Sequence, residues 1–174
     1  MKRLTNLIKN DSCRLDILRV VKSLELPDCY IGAGFVRNLV WDHLHGFSNT
    51  KLNDIDIIYY SPEEVDERAA YTQLNTYSTR YKWDLKNQAG MHKQNGDPPY
   101  ISTEHAMTFW PEFETAIGVR FTKNNDLKVI SPFGIDSLFS GLITRNPKRS
   151  VDVFLGRINS KNWLEHWPNL KIKL

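Results

Sequence analysis

The chain has 174 residues, 41% of them hydrophobic and 11% aromatic, with a net charge of +3. Those values describe one globular domain over residues 1–174 with a real core; the mild positive excess suits an anionic ligand such as a nucleotide, while charge alone does not support nucleic-acid binding. Cys13 and Cys29 lack metal-ligand spacing, and no apolar run approaches the roughly eighteen residues of a membrane span, so neither a zinc site nor a transmembrane helix is expected, and the expectation is a soluble cytoplasmic protein.

Asp11 or Asn10 caps a first helix whose apolar stripe is Leu15, Leu18, Val21 and Leu24, widened by Ile17 and Val20, and Pro27 ends it. A short apolar strand at 29–31 runs into a glycine turn, Gly32-Ala33-Gly34, and then a helix at 35–45 marked by Val36, Val40 and Leu44. Gly32 and Gly34 permit a tight turn and let a ligand approach bare backbone. The first N–H groups of the helix lack partners and carry the positive end of its dipole, a setting for phosphate. On that helix Arg37 either contacts phosphate or pairs with an acid elsewhere.

A loop at 46–53 leads to a strand at 54–60. Strand alternation puts Asp54 and Asp56 on one face, roughly 7 Å apart, and turns Ile55, Ile57 and Tyr59 into the core. Two such carboxylates can share divalent cations, because Mg²⁺ takes oxygen ligands and completes its shell with substrate phosphates. A glycine turn followed by this pair reads as nucleotidyl transfer.

Ser61, Pro62 and Glu64 read as a capping box for a helix ending near Tyr77. In the strand at 81–87, Tyr81, Trp83 and Leu85 alternate with Lys82, Asp84 and Lys86. Asp84 is either a third site acid or an exposed aspartate paired with Lys82 or Lys86. His92 either lines the site or is structural. A loop at 96–99, a short helix at 102–110, strands at 116–122 and 127–130 joined by Asn124-Asn125-Asp126, and a helix at 136–139 follow, with Asp136 as its cap. The end is basic and aromatic, with Arg157, Lys161, Trp163 and Trp167. It reads as a docked helix, with single-stranded RNA binding as the alternative.

AGFVRN, followed about twenty residues on by DID, resembles the GGxVRD…DxD head of the DNA polymerase β-like nucleotidyltransferase superfamily. The segments AGFVRNLVWDHLHG, DIDIIYY, WDLKNQAGMH, FETAIGVRF and SPFGIDSLF extend the resemblance over most of the chain, to small stand-alone bacterial nucleotidyltransferase-like proteins. It implies an α/β (α+β) nucleotidyltransferase fold with a small mixed sheet of about five strands and helices mainly on one side. It also implies a site in which Asp54, Asp56 and Asp84 are catalytic and hold Mg²⁺ or Mn²⁺. Gly32, Ala33, Gly34, Arg37, Asn38, Glu114 and Thr115 would bind an NTP, ATP foremost. Asn38 stands where related RNA-terminal enzymes carry aspartate, and Gly90 where the family carries arginine. Those enzymes also use a long helical extension for RNA, so CCA addition is not expected here. The expected reaction moves an NMP to the hydroxyl of a small molecule, protein or RNA. A silent nucleotide-binding module and a toxin–antitoxin-type modifying protein are the alternatives.

Overall fold

A computed structural model of the chain describes residues 1–48 and 50–174; of the expected 46–53 loop, residue 49 lies outside the described residues. The order of elements is α1 (Lys2–Lys9), α2 (Ser12–Lys22), β1 (Tyr30–Ile31), α3 (Gly34–His45), β2 (Asp54–Tyr59), α4 (Glu67–Tyr77), β3 (Lys82–Asn87) and α5 (Gln88–Asn95). Then come α6 (Thr103–Met107), β4 (Gly118–Phe121), β5 (Leu127–Ile130), α7 (Asp136–Phe139), β6 (Leu142–Thr144), α8 (Val151–Ser160), α9 (Trp163–His166) and β7 (Lys171–Lys173).

Five strands form a mixed sheet in the order β3-β2-β1-β4-β5. β2 and β3 run parallel, while β1 is antiparallel to both β2 and β4. Alternation decides the layers. Ile55, Ile57 and Tyr59 face one side, where α1 to α4 bury them together with Trp83, Leu85, Ile31 and Val119. Asp54, Asp56 and Ile58 face the other side, whose smaller apolar cluster joins Ile58 to Tyr30, Met107 and Ile130. The acids therefore lie on the thinly covered face of the sheet.

The cap of α2 is Asp11, which accepts from the Arg14 N–H at 2.9 Å. Arg14 is buried, pairs with Asp11, and donates from Nε to the Phe35 carbonyl at 2.8 Å, anchoring α2 under the start of α3. The expected capping box at Ser61 is not formed. The Ser61 N–H donates to Asn87 Oδ1 and its hydroxyl to the Glu63 carbonyl, which ties 61–63 to the end of β3. Asp66 caps α4 instead, accepting from the Arg68 and Ala69 N–H groups.

At the far end of α3 the C-terminal segment closes the core. Trp41 is fully buried, with edge contacts to Trp163 at 5.5 Å and Trp167 at 5.1 Å. Each such pair adds about 0.5–1.5 kcal/mol to simple burial. Asp42, also fully buried, accepts from Trp167 Nε1 at 2.9 Å and from both the N–H and the hydroxyl of Thr50. One carboxylate thus fastens the chain ahead of β2 and the C-terminal segment to the same helix. β6 and β7 form a separate parallel pair that the sequence did not announce. Among the described residues no helix is long and apolar enough to cross a membrane.

Candidate active site

An open cleft of about 740 Å³ lies against the polar face of β2 and β3. Its lining includes Asp54 and Asp56 from β2, Lys82, Asp84 and Lys86 from β3, and Ala33, Gly34, Arg37 and Asn38 from the start of α3. The C-terminal segment adds Arg157, Lys161, Trp163 and His166, and the α5–α6 region adds Asn95, Tyr100 and Trp110.

The turn into α3 departs from the expectation for its glycines. Gly32 and Gly34 have ordinary φ angles, and the positive φ falls on Ala33, at +52° with ψ −125°. That region suits glycine, because a Cβ there crowds the backbone. The Gly32 N–H is already used, donating to the Asp56 carbonyl at 3.0 Å, and Gly32 does not line the cleft. The N–H groups of Phe35, Val36 and Arg37 turn back to the carbonyls of Gly32 and Ala33. Ala33 and Gly34 are left, among the described residues, with amides free to meet an anion. Replacing Ala33 with glycine should relieve strain worth about 1–3 kcal/mol, less the extra entropy glycine loses on folding. Ala33→Gly is therefore expected to stabilise the protein by about 1 kcal/mol, read from urea unfolding; a loss of stability would show that the turn is not strained.

Arg37 is 7% exposed, and no carboxylate bonds it among the described residues. Nη1 donates to Thr115 Oγ1 at 2.9 Å and Nη2 to Asn38 Oδ1 at 3.1 Å, while Nε has no partner. The guanidinium lies over the rings of Trp163 at 4.4 Å and Trp41 at 5.0 Å. Burial pulls its pKa down to about 10, against the attraction of Glu112 and Asp56, so it stays charged near pH 7. A buried cation held by two neutral acceptors and two rings is equipped for an anion.

Asp56 and Asp84 are register partners on adjacent parallel strands, and Asp54 pairs with Lys82. In-register neighbours share a face at about 4.8 Å spacing, so Asp84 joins the acids of β2 as the alternation predicts. Burial first, and then the Asp84 charge, push the Asp56 carboxyl above its ordinary pKa, with Lys86 and Arg37 opposing. Asp84 Oδ2 accepts from Lys86 Nζ at 2.6 Å. Among the described residues no three His, Cys, Asp or Glu side chains are gathered tightly enough to hold a metal by themselves.

Other expected residues fall elsewhere. Thr115 reaches the cleft through Arg37, but Glu114 is fully buried, accepts from the Thr144 N–H at 2.7 Å and does not line the cleft. Glu114 thus ties the segment before β4 to β6, and the expected nucleotide contact is corrected. His92 is bonded to the Ala89 carbonyl and stays outside the cleft. Asp136 is exposed in the first turn of α7, where Ile135 holds the cap position. The sequence reading omitted Lys51, Asn95, Tyr100 and Trp110, which line the cleft from loops and short helices.

A family profile described as Nucleotidyltransferase matches residues 19–172. An NMR structure described as revealing a CCA-adding enzyme head domain is 28% identical, with a TM-score of 0.86 over 99% of this chain and 95% of that one. A CCA-adding enzyme with CTP gives 16% identity and a TM-score of 0.62, over 98% of this chain and 43% of its own. The Thermotoga maritima CCA-adding enzyme complexed with tRNA gives 17% and 0.63, over 98% and 42%. The chain spans less than half the length of these two enzymes, and at such identity they show the fold alone. Comparison with curated proteins gave no match. The sheet and helix layers are those of the nucleotidyltransferase head domain.

Proposed function

This chain belongs to the nucleotidyltransferase family, and we propose that it moves a nucleoside monophosphate from an NTP to an acceptor hydroxyl in a Mg²⁺- or Mn²⁺-dependent reaction. The observation that carries this reading is the register of Asp56 with Asp84 on the cleft face, beside the turn that offers the Ala33 and Gly34 amides. Asp54 and Asp56 fit a divalent cation, since Mg²⁺ is commonly held by one or two carboxylates plus substrate phosphates, and Asp84, in register with Asp56, would join them on it. A cation bound there would neutralise phosphate charge and favour the attacking oxygen as nucleophile.

In this reading the Ala33 and Gly34 amides and Arg37 hold the triphosphate, while Asn38 and Thr115 orient Arg37. Asp84 takes the proton of the acceptor hydroxyl. The acceptor oxygen bonds to the α-phosphorus, the bond to the bridging oxygen breaks, and pyrophosphate leaves in line. ATP is the first NTP to test, because fold neighbours include CCA-adding enzymes solved with ATP and with CTP. The acceptor is sought among small molecules, proteins and RNA.

The test incubates the purified protein with α-phosphate-labelled NTPs, Mg²⁺ or Mn²⁺ and a cell lysate. Label appearing on an acceptor, and absent with Asp54→Asn, supports the proposal. A second reading, nucleotide binding without transfer, draws on the engagement of Asp84 by Lys86. Measurable NTP affinity with no labelled acceptor would favour that module and sink the transferase.

A further inference from the structure

Three cationic or acidic side chains follow one another on the cleft face of β3: Lys82, Asp84 and Lys86, opposite Asp54, Asp56 and Ile58 of β2. They are not equivalent. Lys86 Nζ sits 2.6 Å from Asp84 Oδ2, whereas Lys82 has no ion pair among the described residues. The Lys86 and Asp84 side chains are 50% and 33% exposed, so the pair is partly hydrated and opens at little cost. The ammonium holds Asp84 Oδ2 and leaves Oδ1, so a cation entering there would share the carboxylate with a positive charge already in place. A divalent cation and an ammonium on the same carboxylate also repel one another.

We propose that Lys86 is a resident competitor for the divalent cation: it holds Asp84 in the metal-free protein and yields it when nucleotide oxyanions enter the cleft and offer the ammonium another partner. The inference rests on the reading of Asp54, Asp56 and Asp84 as the metal-holding acids. Lys86 is then a positioning residue, acting through Asp84. Its consequence is a coupling between ligands. Nucleotide that draws Lys86 away tightens metal binding, and metal tightens nucleotide binding by the same factor.

Mn²⁺ binding to the full chain, followed by the paramagnetic resonance signal of the free ion, tests this without turnover. Wild type, Lys86→Met and Lys82→Met are titrated with and without a non-hydrolysable NTP analogue. Lys86→Met is expected to bind Mn²⁺ alone roughly fivefold more tightly than wild type, the upper end of what a partly exposed ion pair is worth. The further tightening produced by the analogue should be smaller than in wild type. Lys82→Met removes the same charge from the same strand face, beside Asp54, and should tighten Mn²⁺ binding less than Lys86→Met does, because no carboxylate of its own is released. Equal affinities for wild type and Lys86→Met overturn the proposal, as does equal tightening in both variants, which would reduce the effect to net charge. Binding of Mn²⁺ by none of the three, even with the analogue, overturns the metal reading of the acids as well.

Discussion

Asp56→Asn is expected to raise the melting temperature near neutral pH while lowering nucleotidyl transfer by on the order of a thousandfold, the scale of removing one group that stabilises transition-state charge. The two effects share one cause. Asp56 is held where burial, and then the neighbouring Asp84 carboxylate, disfavour its ionised form. Its folded pKa is raised, so ionisation destabilises the fold above that raised value. Below the ordinary aspartate value of about 3.9 the group is protonated in both folded and unfolded chains and makes no difference. The gain from Asp56→Asn should therefore be present near pH 7 and vanish near pH 3. Mg²⁺ with NTP should raise the melting temperature of the wild type, because ligands that bind only the folded state stabilise it, and should have little effect on the variant. A variant less stable than wild type near pH 7, with transfer intact, would show Asp56 to be a structural acid.

The parts of this site that lie on one strand or one turn were legible in the sequence. Alternation in DIDIIYY and in YKWDLKN assigned the polar face of each strand correctly, and their parallel pairing brought Asp56 opposite Asp84. The turn was legible as a position but not as a conformation. Two glycines suggested where the unusual φ would lie, and the chain placed it on the alanine between them. Local patterns failed where tertiary contacts took over the same atoms. Ser61 had the look of a helix cap, yet its N–H is consumed by Asn87, 26 residues away. Glu114 carried the polarity of a ligand, but its carboxylate serves the Thr144 N–H, and no periodicity within 111–122 reports on β6. α1 rests on only two fully buried residues, Leu4 and Ile8, too few for a convincing stripe. The wall of the cleft near Arg37 is built by residues more than a hundred positions away, through Trp163 over the guanidinium and Trp167 on Asp42. A basic and aromatic C-terminal segment marked that material without saying where it would dock.

The Arg37→Met variant is expected to bind NTP about a hundredfold more weakly, the cost of removing a charged donor from a phosphate, while folding at least as stably as the wild type. Methionine can follow the channel between Trp41 and Trp163 with an unbranched apolar chain, and replacing a buried charge with packed apolar volume is often neutral or stabilising. The hydrogen bonds lost are those to Thr115 Oγ1 and Asn38 Oδ1; Asn38 is open enough to take water, while the buried Thr115 hydroxyl loses its donor, a smaller cost than the burial of the charge. The pH dependence runs opposite to that of an acid. Burial lowers the Arg37 pKa to about 10, so its positive charge destabilises the fold throughout the range below that value. The cost diminishes as pH rises through about 10 towards the ordinary arginine value. Any stability gained by Arg37→Met should thus be full near neutral pH and shrink in strongly alkaline solution. Arg37→Lys separates charge from shape: an ammonium keeps the positive end but lacks the planar fork that reaches Thr115 and Asn38 together. Partial NTP affinity in Arg37→Lys, set against the loss in Arg37→Met, would identify the charge as the binding determinant. If Arg37→Met instead unfolds at markedly lower denaturant and the remaining folded protein binds NTP as wild type does, the guanidinium is a core brace for the tryptophans and the triphosphate must be held by the Ala33 and Gly34 amides without it.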